Sequence, residues 1–126
     1  MAVTFEIGST RLCDLSEVGD YVAMMNGIAK ECHDHDFYCE GNRNWIAVDL
    51  TVGARMLGLD PFEVLDAFVK ENLIDPNLDD EDTRDRIERV DGYDHAFDWD
   101  WMIEPDYFVG YYRSNPVPSP VEFRLV

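Results

Sequence analysis

Thiols and imidazoles crowd together in the segment "ECHDHDFYC", where Cys32, His33, His35 and Cys39 stand with Asp34 and Asp36 between them. Thiolate and imidazole are the ligands that Zn²⁺ takes in tetrahedral sites. Structural zinc sites draw their ligand pairs from separated segments, whereas these four residues are close neighbours in sequence. Cys32 also fits the apolar stripe of a helix, as a small buried hydrophobe. A polar loop is therefore the first reading of this segment, and a metal set of Cys32, His33, His35 and Cys39 the alternative. A second run, Asp75, Asn77, Asp79 and Glu81, alternates oxygen ligands as a calcium loop does. It has Asp80 where the sharp turn needs Gly, and Arg86 where a bidentate Glu must close the site, so the EF-hand geometry fails. No G-x-S-x-G elbow, cysteine-protease signature or glycine-rich phosphate loop occurs, and no reaction is assigned.

Carboxylates are the chemistry this chain has in excess. From Asp75 to Asp106 there are 13 acidic residues against Arg84, Arg86 and Arg89, a net −10 of the total −17. The stretch "DGYDHAFDWDWMIEPDYF" alternates Trp99 and Trp101 with Asp98 and Asp100. In an extended strand the aromatics would face a core and the aspartates water, with the two carboxylates roughly 6.6 Å apart. That spacing is comparable to the pitch of phosphates along a nucleic-acid strand. The candidate contact set is Asp79, Asp80, Glu81, Asp82, Asp85, Glu88, Asp94, Asp98, Asp100, Glu104 and Asp106. A partner for such a surface is rich in Arg and Lys, since like charge repels nucleic acid and anionic membranes.

The elements that must position these residues follow from hydrophobic period. Val3, Phe5 and Ile7 alternate with Thr4 and Glu6, a half-buried strand. A helix starting at Asp14, which pairs with Glu17 in a capping box, carries Leu15, Val18, Tyr21/Val22, Met25, Ile28/Ala29 and Cys32 on one stripe. Gly41 and Asn42 read as breakers after it. A second helix is expected over Trp45 to Leu59, with Trp45, Val48, Val52 and Met56 on its stripe and Gly58 closing it. Asp60-Pro61 opens a third that buries Val64, Leu65, Phe68 and Val69. "LDDEDTRDRIERVDG" forms a short fourth, with Asp82–Arg86 and Asp85–Arg89 as i, i+4 pairs. Three further strands are expected, over Phe97–Ile103, Tyr107–Tyr112 and Val121–Leu125.

The 126 residues make one domain, and 46% apolar with 13% aromatic content excludes a disordered acidic tail. Because helical and alternating segments are segregated, the expected fold is α+β: an antiparallel sheet of three to five strands packed against three to four helices. Three cysteines at no framework spacing, no apolar run near ~18 residues and no leader-like N-terminus point to a cytoplasmic protein without a membrane partner.

Two resemblances add to this reading. "TVGARMLGLDPFEVLDAFVKENLI" resembles a helix-turn-helix unit of the winged-helix regulator kind, on Ala54, Leu57-Gly58-Leu59, Val64 and Asn72-Leu73-Ile74. The resemblance implies a second helix in the DNA major groove. Glu63, Asp66 and Glu71 against Lys70 depart from that pattern, and a helix pair kept for packing or protein contact fits the charges. In size and composition the chain is similar to small acidic DNA-mimic inhibitors, such as phage anti-restriction and anti-CRISPR proteins. That likeness implies a non-enzymatic inhibitor, with no cofactor, that blocks the basic groove of a nucleic-acid-binding protein, in the host cytoplasm if phage-encoded. The alternatives are a metal-binding or catalytic protein using the Cys32–Cys39 segment, and a helix-turn-helix-like interaction module. A salt-rich cytoplasm also favours Asp over Lys, which would make the acids only a solvated face.

Overall fold

Apolar spacing in the computed structural model of this protein resolves into helices more than strands. The structure describes residues 3–7, 18–34, 40–92, 110–111, 114 and 121–125. In chain order the elements are β1 (Val3–Ile7), α1 (Val18–Asp34), α2 (Glu40–Met56), α3 (Pro61–Lys70), α4 (Glu81–Asp91) and β2 (Val121–Leu125), with a short 3₁₀ turn at Pro76–Leu78.

The expected antiparallel sheet of three to five strands is not what forms. Among the described residues the sheet is β1 beside β2, and the pair runs parallel, with Val3 opposite Val121 and Phe5 opposite Phe123. Period-two alternation fixes which side chains face in, but carries no information on strand direction. Direction follows from connectivity. The two strands lie near opposite ends of the chain, and the helices between them are a crossover rather than a hairpin. The faces are as expected: Val3, Phe5 and Val121 are buried, while Thr4, Glu6, Glu122 and Arg124 face out. Glu6 and Arg124, opposite each other in register, form an ion pair. The expected strand over 97–103, with Trp99 and Trp101, lies outside the described residues, as does the Asp14 capping box. Gly110 and Tyr111 are helical, against the strand expected over 107–112.

α2 is the central helix, packed against α1, α3 and α4. From Ile46 to Leu57 nearly every residue is buried, the all-round burial that marks an interior helix. Two local features of α2 depart from its sequence pattern. Gly41 and Asn42 do not break the chain but lie in the first turn of α2, where backbone N–H groups need no intrahelical partner and poor helix formers cost little. Trp45 is 54% exposed, and Ile46 beside it is buried instead. Trp45 lies in the second turn of α2 and, with Asn44, on its outward side, between buried Arg43 and Ile46.

Gly53 permits a close approach between two helices in the core. A Cβ there would lie 2.6 Å from Ile28 Cδ1 and 3.4 Å from Met25 Sδ, so α1 and α2 meet where one side chain is missing. Gly58, at φ 72°, ends α2 with Gly58 N–H donating to Arg55 C=O and Leu59 N–H to Ala54 C=O. This is the Schellman pattern. Asp60 caps α3 through the Phe62 amide at 2.9 Å, as its sequence signature implies. The sheet rests on this helical layer through Phe5, whose ring is 6.1 Å from Phe68 and 5.7 Å from Phe123. Buried Asn26 of α1 accepts a hydrogen bond from Val121 N–H at 3.2 Å, anchoring the start of β2.

Candidate functional site

α4 carries the described part of the acidic set, and its sequence sorts the residues by helical angle. Thr83, Ile87 and Val90, at i, i+4 and i+7, face the core, the first two fully buried. Glu81, Asp85 and Glu88 repeat the same spacing on the opposite side of the helix, and all three are exposed. Side chains at this spacing stand about 5–6 Å apart. No cation pairs with any of these three side chains among the described residues.

The remaining acids of the set serve the fold. Asp80 caps α4 by accepting from Thr83 N–H at 2.9 Å, and it takes both of its short Arg43 contacts, at 2.7 and 2.8 Å, from one guanidinium nitrogen. The same nitrogen donates to the Thr83 hydroxyl at 2.5 Å. Arg43, whose side chain is only 10% exposed, thus ties the start of α2 to the start of α4. Desolvation pushes the Asp80 carboxyl up, but the Thr83 amide, Arg43 and the Thr83 hydroxyl outweigh it and hold the group below its ordinary value. Asp79 accepts from Arg84 at 2.6 Å, and Arg84 reaches Asp66 of α3 at 2.6 Å while lying over the Phe62 ring. Hydrogen bonds donated to Asp79 and Asp66 raise the Arg84 guanidinium above its usual value. Asp82 pairs with Arg86 at 3.0 Å, as the i, i+4 spacing implies. The companion Asp85–Arg89 pair does not form: Arg89 Nε meets the Asp85 main-chain oxygen instead, at 3.4 Å.

Asp91 at the far end of α4 receives Arg55 of α2 through two parallel bonds of 2.7 and 2.8 Å. The Arg55 hydrogen bonds hold the Asp91 carboxyl below its ordinary value against a smaller desolvation effect. Sequence reasoning missed Arg43, Arg55, Thr83 and Asp91 as a group. Their partners lie 36 to 40 residues away, and no short-range spacing marks such pairs. Asp94, Asp98, Asp100, Glu104 and Asp106 lie outside the described residues.

The alternative metal set is divided by the helix that bears it. Cys32 is buried, and burial, with Asp49 and Glu31 nearby, pushes its thiol far above the usual range. His33 next to it is exposed and 3.0 Å from Asp34, which also accepts from Lys30 at 2.7 Å. Neighbours on a helix are about 100° apart, so a buried Cys32 and an exposed His33 do not converge on one ion. His35 and Cys39 lie outside the described residues. The α2–turn–α3 unit has the connectivity of a helix-turn-helix, but the exposed face of α3 presents Glu63, Asp66 and Lys70. Among the described residues no helix is long and apolar enough to cross a membrane. Set against protein families, curated proteins and solved structures, the chain matches none of them.

Proposed function

We propose that this chain is a binding protein, not an enzyme, whose outward carboxylates occupy a basic nucleic-acid groove on a partner protein. One observation carries this reading: Glu81, Asp85 and Glu88 line the solvent face of α4 without a pairing cation, while neighbouring acids are consumed by Arg43, Arg84 and Arg86. A rigid helix holding three carboxylates at near-phosphate pitch offers a groove built for phosphates the same charges at similar spacing. Helix α4 is fixed at both ends by Arg43 and Arg55, so the ridge is ordered before any encounter. In this reading the protein acts as a DNA mimic of the anti-restriction or anti-CRISPR type.

The test is a triple variant, Glu81→Gln, Asp85→Asn and Glu88→Gln, compared with the unaltered chain. Both are used to capture proteins from lysate, with identification of those that duplex DNA displaces. The unaltered chain should capture a basic nucleic-acid-binding protein, with association that slows as salt rises because steering is screened. The triple variant should associate about tenfold or more slowly, consistent with loss of steering, while its melting temperature holds or rises. Equal capture by both proteins, or capture indifferent to DNA, would show the ridge to be a solvated face.

A further inference from the structure

An open cleft of about 240 Å³ lies between α2 and α4, beside the acidic ridge, lined by Asn44, Ala47, Val48, Arg86, Arg89 and Val90. Its floor is apolar: Ala47 and Val48 are buried and Val90 partly so. Its polar groups are one amide and two guanidiniums. Arg86 is held by Asp82 and by the Asn44 side-chain oxygen, leaving the Asn44 NH₂ as a donor. Arg89 differs from every other described arginine. Arg43, Arg55, Arg84, Arg86 and Arg124 each pair with a carboxylate, whereas Arg89 has only the long contact to a main-chain oxygen. In a chain with 27 acids and 10 bases, a guanidinium without a carboxylate, set over an apolar floor, is the exception that calls for an anionic occupant.

We propose that this cleft binds an organic monocarboxylate on a short apolar chain. The carboxylate meets the Arg89 fork and the Asn44 amide, and the hydrocarbon lies on Ala47, Val48 and Val90. Arginine suits this role because its planar fork matches a carboxylate and stays charged at all working pH values. The volume holds about eight water-sized groups at roughly 30 Å³ each. A carboxylate with about five further carbons is within that volume. At about 0.15 M salt the Debye length is near 8 Å, so the molecule's longer-range negative field is screened while contact inside the cleft persists.

The experiment is a two-dimensional amide NMR titration of the full chain at that salt, with hexanoate, hexanamide and acetate as probes. Hexanoate should shift the amides of Asn44, Val48, Arg89 and Val90 in a saturable way. Hexanamide, lacking the charge, and acetate, lacking the chain, should each bind at least about tenfold more weakly, since charge-assisted bonds and apolar contact are both needed. Arg89→Gln should lose hexanoate binding with its spectrum otherwise native, and Arg89→Lys should retain part of it. Equal shifts with hexanamide, full binding by Arg89→Gln, or no saturable shift at the cleft would each overturn the proposal. The readout, hexanoate binding, is separate from partner capture by the acidic ridge, so either reading can fail while the other stands.

Discussion

Arg43 shows how a single buried charge can decide which acids are paired and which are left facing solvent. Its guanidinium is nearly enclosed, and Asp80 and the Thr83 hydroxyl supply its short contacts. Replacing it by Met keeps the apolar stem's volume but removes the charged hydrogen bonds, at a cost of about 2 kcal/mol. Chemical denaturation at neutral pH measures this. The same variant tests the acid limb. Asp80 has its folded pKa depressed, so it contributes stability above its unfolded value of about 3.9 and loses it as pH falls through the folded value. Asp91, depressed by Arg55, behaves in the same sense. The unaltered protein should therefore lose stability below about pH 4, and Arg43→Met should lose less over that window. An identical acid loss in both proteins would remove Asp80 from the account.

At the scale of elements, the contact between α1 and α2 depends on Gly53. Glycine inside a helix costs about 0.5–1 kcal/mol relative to alanine, so Gly53→Ala would stabilise an isolated helix. Here the added methyl would stand 2.6 Å from Ile28 Cδ1, so the Ile28 side chain must shift within a site it shares with fully buried Met25 and Met24. Overpacking of this kind costs about 1–3 kcal/mol, which exceeds the propensity gain. Gly53→Ala should lower the denaturation midpoint, and Gly53→Ala with Ile28→Val should recover part of the loss. α3 was legible from its Asp60-Pro61 start, and α4 from its polar and apolar angles. The start of α2 was not: its first turns are polar, and what fixes them is an arginine whose partners sit on α4.

For the whole molecule, the net charge of −17 opposes compactness at neutral pH. Internal pairs absorb some of it: Arg43, Arg55, Arg84, Arg86, Arg124 and Lys30 all face carboxylates. The excess is carried by unpaired acids such as Glu81, Asp85 and Glu88. Raising sodium chloride from about 0.01 to 0.15 M shortens the Debye length from about 30 to 8 Å and screens that repulsion more than it weakens the close pairs. The melting temperature should rise by several degrees over this range. The triple Glu81, Asp85 and Glu88 variant should show a smaller rise, because it starts with less repulsion. A melting temperature that falls with salt would mean that surface ion pairs dominate over net charge.

Local pattern determined the helix stripes, the Asp60 and Gly58 boundaries and the faces of Val3–Ile7 and Val121–Leu125. Each of these depends on residues a few positions apart, within reach of one another in any conformation of that element. Strand direction, the early start of α2 and the exposure of Trp45 were decided only when the helices packed. So was the division of the acids into paired and free. A parallel partnership between Val3 and Val121 depends on where intervening helices return the chain, and the Arg43–Asp80 pair spans 37 residues. The sequence could place Asp79 to Glu88 on one acidic segment. Only the fold, by bringing Arg43 and Arg84 to some of those carboxylates and not to others, separates the residues that hold α4 in place from the three left facing water.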